Sequence, residues 1–237
     1  MNLKMKLIEA LHIEMKEKMV ISVVGAGGKT TCIHTLKDEF VRKGKKVVIT
    51  TTTHMYLPHS HYVLDEDINA IKKALAKEHF VIVGTRANEE KMKGVSQKFF
   101  EALLEVSDVV LVEADGSRRL PVKMPAAFEP ALAMGTQMVI VVTGIESIGR
   151  PVKEVCHRFE IAQQILGVEA SHLLDAKDIA TLIYKGYLEN RNAMQKYAVF
   201  INKVTGEKEQ QKAEEILRYL KEMDYTNAVV LKEGKFF

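Results

Sequence analysis

Val23-Val24-Gly25-Ala26-Gly27-Gly28-Lys29-Thr30-Thr31 joins a run of β-formers to a helical pattern through three glycines. The left flank, Met19-Val20-Ile21-Ser22-Val23-Val24, reads as a strand that stops at Gly25. The right flank predicts a helix from about Lys29 to Lys43, closed by Gly44. Glycines at such a turn free successive backbone N–H groups to point inward around phosphate oxygens. The helix that begins there directs its positive end at the same anion. On this reading Gly25, Ala26, Gly27, Gly28 and Thr31 wrap the phosphates, Lys29 reaches the β- and γ-phosphates, and the Thr30 hydroxyl ligates Mg²⁺. The match to G-x-x-x-x-G-K-[ST] is not strict, because Val23 holds the place of the first glycine. The competing reading is a glycine-rich strand-to-helix turn with a solvated lysine.

Outward from this loop the chain keeps alternating. Strands are expected at 46–50, 80–84, 108–115, 138–142, 197–201 and 228–231. Helices are expected at 2–15 (Leu3, Leu7, Ile8 and Leu11 at helical spacing), 68–77, 96–106 with Ser96 as cap, and 207–223, with a helix-rich stretch over 154–192. Continuous Val/Ile runs mark strands covered on both faces. Strands alternating with helices predict an α/β, P-loop NTPase-like fold with a mostly parallel, doubly wound sheet and flanking helices. With no linker, repeat or low-complexity tract, one domain over 1–237 is expected, with a possible helical insert at about 150–195.

Composition narrows the function classes. The 237 residues are 47% hydrophobic and 27% charged, which supports a sizeable core and argues against global disorder. A net charge of +3 argues against a dedicated nucleic-acid binder. Charges interrupt every apolar run of the first 19 residues, so these fit neither a signal peptide nor a membrane anchor. The longest apolar runs fall well below the roughly 20 residues of a membrane helix. Cys32 and Cys156 form neither a disulfide framework nor a zinc pattern, and reduced thiols in the cytoplasm are expected.

A phosphate loop needs a carboxylate partner for its metal at the end of a neighbouring strand. The run from Asp108 ends in Glu113-Ala114-Asp115-Gly116. At strand spacing Glu113 and Asp115 share a side, and near the strand's C-terminal end they would face the crevice. Asp115 is the expected Mg²⁺ carboxylate and Glu113 a supporting group or base; the alternative is a solvated strand end with a turn at Asp115-Gly116. Thr50-Thr51-Thr52-Thr53-His54 places hydroxyls at another strand end, although threonine also favours strands for its own sake. His54, His59 and His61, with Tyr56 and Pro58 between them, read as a loop touching substrate or nothing, and not as a zinc site. Gly116 to Lys123 carries Arg118, Arg119 and Lys123, cations suited to an anionic group or to a solvated loop. Asn202-Lys203 ends a strand as a base-reading Asn-Lys element would, but Thr205 stands where the guanine-binding acid belongs. Cys156-His157-Arg158 forms no Cys–His dyad on a helix, because adjacent residues diverge.

With these residues in hand, the chain resembles the YqeC family, accessory proteins of selenium-dependent molybdenum hydroxylases. The segments that carry the likeness are Val24 to Thr31, Thr50 to His54, Glu113 to Arg119, Leu120-Pro121-Val122-Lys123 to Pro125, Glu129-Pro130, His157-Arg158 and Asn202-Lys203. The resemblance implies a role in maturing or inserting a selenium-containing molybdenum cofactor. It adds a molybdenum hydroxylase or cofactor precursor as expected partner to the ATP or GTP with Mg²⁺ expected from the phosphate loop, and composition and charge predict neither nucleic acid nor membrane. Lys29, Asp115 and Glu113 would carry the chemistry, and Thr53, His54, Arg118, Arg119, Lys123, His157 and Arg158 would bind substrate, with an arginine on developing charge. Rival readings are a nucleotide-gated partner-binding protein and a small-molecule kinase or ligase unrelated to molybdenum. Thr205, and Cys156 in place of an apolar residue, depart from the family pattern.

Overall fold

A computed structural model describes residues 6–232 and 235–236. Fourteen strands occur among them: β1 (Met19–Gly25), β2 (Val47–Thr51), β3 (His54–Tyr56), β4 (Tyr62–Val63), β5 (Phe80–Val83), β6 (Thr85–Arg86), β7 (Lys91–Lys93), β8 (Val109–Glu113), β9 (Val122–Lys123), β10 (Met138–Gly144), β11 (Cys156–His157), β12 (Lys196–Val204), β13 (Ala228–Lys232) and β14 (Lys235–Phe236). The α-helices are α1 (Leu7–Ala10), α2 (Lys29–Arg42), α3 (Ile68–Glu78), α4 (Gln97–Val106), α5 (Val152–Val155), α6 (Phe159–Leu166), α7 (Ala176–Ile183) and α8 (Glu207–Glu222).

The main sheet runs β14-β13-β12-β10-β1-β8-β2-β5-β4, and every neighbouring pair is parallel except β13–β14. This is the mostly parallel, doubly wound class that the alternation of strands and helices predicts. Along β1 the side chains divide by the two-residue period of a strand. Val20 and Val24 enter one apolar layer, while Met19, Ile21 and Val23 enter the other. Strand β8 divides the same way, Val110 and Val112 against Val109 and Leu111. The first layer is closed by residues of α3, α4, α7 and α8 such as Leu75, Leu103, Ile179 and Ile216. The second is closed by Leu7, Leu11, Ile33, Leu36 and Phe40 from the N-terminal segment and α2. Burial on both faces explains why these strands read as unbroken Val/Ile runs.

From β1 the chain passes through α2 to β2, which lies two places away because β8 is inserted between them; β10 flanks β1 on the other side. Strand order therefore departs in both directions from β1, and the carboxyl end of β1 opens onto the crevice where such sheets hold ligands.

Several expectations change. Of the helix expected over 2–15, residues 2–5 lie outside the described residues, and the described helix is only α1. The Glu39 carboxylate accepts from Leu7 N at 2.8 Å and Ile8 N at 2.9 Å, capping its first turn. His12, at φ 51°, turns the chain out of the helix towards β1. His54–Tyr56, read as part of a loop, is strand β3 of a small antiparallel sheet ordered β3-β7-β6. Its strands are too short to show a period. Within the helix-rich stretch 154–192, β11 pairs with β9, and a π-turn spans Tyr184–Leu188. Apolar residues of α5, α6 and α7 enter the same layer as α8.

Candidate functional site

The turn between β1 and α2 depends on backbone that only glycine adopts easily. Gly27 has φ 73°, and a Cβ there would lie 2.3 Å from Gly144 N and 2.7 Å from Pro121 O. Gly28 has φ 139°, and a Cβ there would lie 2.0 Å from Asn202 Nδ2. Ala26 N donates to Val142 O at 2.9 Å, tying the loop to the end of β10. Gly28 caps α2 without any side-chain hydrogen bond. The first-turn amides of a helix have no partner within it, so here their donors and the positive end of the helix face the crevice. Thr30 and Thr31 are exposed on that turn.

Behind the loop lies a buried knot of charge. Asp115 is 0% exposed and accepts from Gly25 N at 3.0 Å and from the Tyr187 hydroxyl at 3.2 Å. Two buried ammonium groups, Lys29 Nζ and Lys123 Nζ, each lie 3.4 Å from its oxygens. Lys29 Nζ also donates to Gly25 O at 2.8 Å and Ser117 Oγ at 3.3 Å. Lys123 Nζ donates to Gly116 O at 2.7 Å and pairs with Glu129 Oε2 at 2.9 Å. Glu129 is held in turn by both terminal nitrogens of Arg158. Burial and the neighbouring Asp115 push the Tyr187 phenol well above its ordinary value, so it stays protonated as a donor.

In front of the loop is a cleft of about 900 Å³. The expected residues Gly27, Gly28, Lys29, Thr30, Thr31, Thr53, His54, Glu113, Arg118, Arg119, His157 and Lys203 line it. The two carboxylates separate. Glu113, the last residue of β8, lines the cleft, whereas Asp115 lies beyond the strand end and turns inward under the loop. The shared side expected from strand spacing is lost because the strand stops at Glu113. Asp115 thus braces the phosphate loop through Gly25 N and does not itself line the cleft. Desolvation raises the Glu113 pKa, Lys29 opposes this, and Asp115 adds to it. Of the threonine run, Thr51 Oγ1 is spent on Glu113 O at 2.8 Å.

Other expected residues serve the scaffold. Asn202 is buried and its amide donates to Gly27 O at 3.2 Å, so it props the loop and is not displayed towards a base. Lys203 pairs with Glu146. Lys123 and Arg158 are committed to Asp115 and Glu129 and do not line the cleft. Gly25 and Ala26 lie beneath it, their amides taken by Asp115 and Val142. His157 lines the cleft beside the β9–β11 pairing; burial, then Arg158, Lys123 and Arg118, lower its pKa. Sequence reasoning gave no role to Tyr187, Tyr56 or Lys91. Tyr187 lies 72 residues from its partner Asp115, and no local pattern announces such a pair. Tyr56 and Lys91 sit on the small sheet, where Arg119 stacks 4.4 Å and Lys91 Nζ 5.3 Å from the Tyr56 ring centroid.

Mg²⁺ that travels with a polyphosphate keeps several waters and needs only one or two protein oxygens. The exposed Thr30 hydroxyl and the Glu113 carboxylate fit that need, since both line the cleft. Among the described residues no three His, Cys, Asp or Glu side chains gather to hold a metal alone. No helix among them is long and apolar enough to cross a membrane.

Solved structures with a similar trace include the MinC:MinD cell division protein complex of Aquifex aeolicus (TM-score 0.46, 14% identity, 91% of this chain and 81% of that one). Another is the signal recognition particle 54 kDa protein of Aeropyrum pernix K1 in complex with GDP (TM-score 0.48, 14% identity, 97% of this chain but 45% of that one). In sequence, the uncharacterized protein YqeC of Escherichia coli (strain K12) is 36% identical over 175 residues, covering 71% of this chain and 68% of that one. Residues 21–160, from β1 through the phosphate loop and Asp115 to His157, match the family described as YqeC protein. On these matches the chain belongs to the YqeC family.

Proposed function

We propose that the protein binds a nucleoside triphosphate, ATP or GTP, with Mg²⁺ in the cleft before the phosphate loop. The carrying observation is the uncapped N-terminus of α2, which opens with Thr30 and Thr31 onto a cleft also lined by Lys29 and Glu113. Lys29, already held near Asp115, has the reach of a flexible four-carbon stem to move its ammonium onto phosphate oxygens. Thr30 and Glu113 would hold Mg²⁺, which supplies charge neutralisation of the phosphates. On the role that the resemblance implies, this chemistry would serve the cytoplasmic maturation of a selenium-dependent molybdenum hydroxylase or its cofactor.

A panel of nucleotides with Mg²⁺ tests the reading by thermal unfolding. A ligand at 100 times its Kd stabilises by about 2.7 kcal/mol. At roughly 2–4 °C per kcal/mol for this chain length, the cognate triphosphate should raise Tm by about 5–11 °C. Silence of every triphosphate at millimolar concentration would reject it. A second reading has its own support. The chain of ion pairs Lys29–Asp115–Lys123–Glu129–Arg158 runs from the phosphate loop to the segment that bears Phe128, which is 80% exposed. If Lys29 leaves Asp115 for a phosphate, that segment is positioned to respond, as in a nucleotide-gated partner-binding protein. Turnover far below about 1 s⁻¹ with nucleotide-dependent copurification of a hydroxylase would favour it.

A further inference from the structure

We infer that the cleft holds two anions at once: the wall formed by Lys91, Arg118, Arg119 and His157 around Tyr56 is a subsite for a second, oxyanion-bearing ligand beside the nucleotide. The inference deepens the nucleotide reading by assigning the class of the co-substrate. Three observations carry it.

The first is room. About 900 Å³ lies near the top of the roughly 300–1,000 Å³ typical of small-molecule clefts, and the lining extends from Thr30 to His54, Tyr56 and Lys91 on the small antiparallel sheet. The second is unspent charge. Lys203 is paired with Glu146, while Lys123 and Arg158 offset Asp115 and Glu129. Lys29 is then left for the nucleotide. Lys91, Arg118 and Arg119 line the same cleft and make no ion pair among the described residues. A Mg-bound triphosphate retains about two negative charges, and Lys29 with the half-charge of the helix end takes up most of them. Even with Glu113 ionised, the occupied cleft keeps a surplus of roughly one and a half positive charges, close to the charge of one further phosphate-like group.

The third is arrangement. Arg118 and Arg119 both adopt positive φ, 50° and 63°, in a turn that follows Ser117, itself within 3.3 Å of Lys29 Nζ. Left-handed backbone at two consecutive non-glycine residues is costly and is retained where the surroundings require it. The exposed Arg119 rests over the ring of Tyr56, and the half-buried Lys91 approaches the same ring, so the ring holds both cations at the cleft wall. His157 lines the same wall, and burial first, then Arg158, Lys123 and Arg118, disfavour its protonation, so it offers an anion a neutral ring N–H.

The test is calorimetric titration of inorganic phosphate into the protein, alone and presaturated with Mg²⁺ and a non-hydrolysable triphosphate. One saturable phosphate site should persist in the presaturated protein. The Arg118→Ala/Arg119→Ala double variant should weaken it at least tenfold while changing the Kd of the triphosphate analogue less than threefold, and Lys91→Ala should weaken it to a lesser degree. If phosphate saturates no site once the analogue is bound, or merely displaces the analogue, these cations serve the nucleotide and the inference is overturned. If the analogue never binds but phosphate still saturates a site that the arginine variants remove, the subsite stands and the nucleotide reading falls.

Discussion

Replacing Asp115 by Asn keeps size and an acceptor for Gly25 N but removes the charge that two buried ammonium groups share. Lys123 would retain Glu129 and Gly116 O, whereas Lys29 would hydrogen-bond only to the neutral Gly25 O and Ser117 Oγ, with Glu113 as a neighbouring carboxyl that burial keeps from ionising easily. With Lys29 5% exposed and Asp115 0% exposed, this is the case in which removing one member strands a charge away from water. The expected cost is about 3–5 kcal/mol. At roughly 2–4 °C per kcal/mol this is a fall in Tm of about 6–20 °C. Urea or thermal unfolding followed by circular dichroism reads it directly. Glu113→Gln is the paired control: it removes a carboxylate whose charged form burial disfavours, so its stability should match or exceed the parent's while Mg²⁺-dependent nucleotide binding weakens. If Asp115→Asn unfolds within about 1 kcal/mol of the parent yet abolishes Mg²⁺-dependent binding, Asp115 is a metal ligand and the assignment of brace and ligand made above is reversed.

Lys29→Ala should abolish the thermal shift by triphosphates and any turnover, with Asp115 still held by Lys123, Tyr187 and Gly25 N; persistence of the full shift would refute the phosphate contact. Gly27→Ala should cost more than Gly28→Ala, because its Cβ meets backbone while that of Gly28 meets the Asn202 side chain; Asn202→Ala should relieve part of the Gly28→Ala penalty and none of the Gly27→Ala penalty, as measured by denaturant unfolding. The raised Glu113 pKa sets a sign for pH. Its contribution to stability is fully present below the unfolded value near 4.5 and is lost as pH rises through the folded value. The stability difference between the parent and Glu113→Gln should therefore shift in favour of the variant across that window; a flat difference would contradict the burial of its carboxyl group. Burial raises both thiols, Cys156 to about 12 and Cys32 further still. Neither should react with a thiol reagent at pH 8 until the protein is unfolded, when both should.

Local sequence determined a good deal. Seven of the strands and the helices α2, α3, α4 and α8 lie where hydrophobic period, Ser96 and Gly44 predict them, to within a few residues. The phosphate loop is legible because its chemistry is contiguous: glycines, Lys29 and Thr30 act through neighbouring backbone. The small sheet was not legible, since two- and three-residue strands hold no period and owe their pairing to Met92, wholly buried against the main body.

Tertiary structure alone decided which charged residues face the cleft and which lie behind it. Glu113, Asp115, Lys123, Arg158 and Asn202 look equally functional in a line of letters. Only the stop of β8 at Glu113 and the packing of the Tyr184–Leu188 turn over Asp115 separate a cleft carboxylate from a buried brace. The physical reason is range. Period, capping and glycine conformation act over a few bonds and are written locally, whereas desolvation and ion pairing depend on groups far apart in the chain, such as Asp115 with Lys29 and Tyr187, which meet only after the sheet has formed.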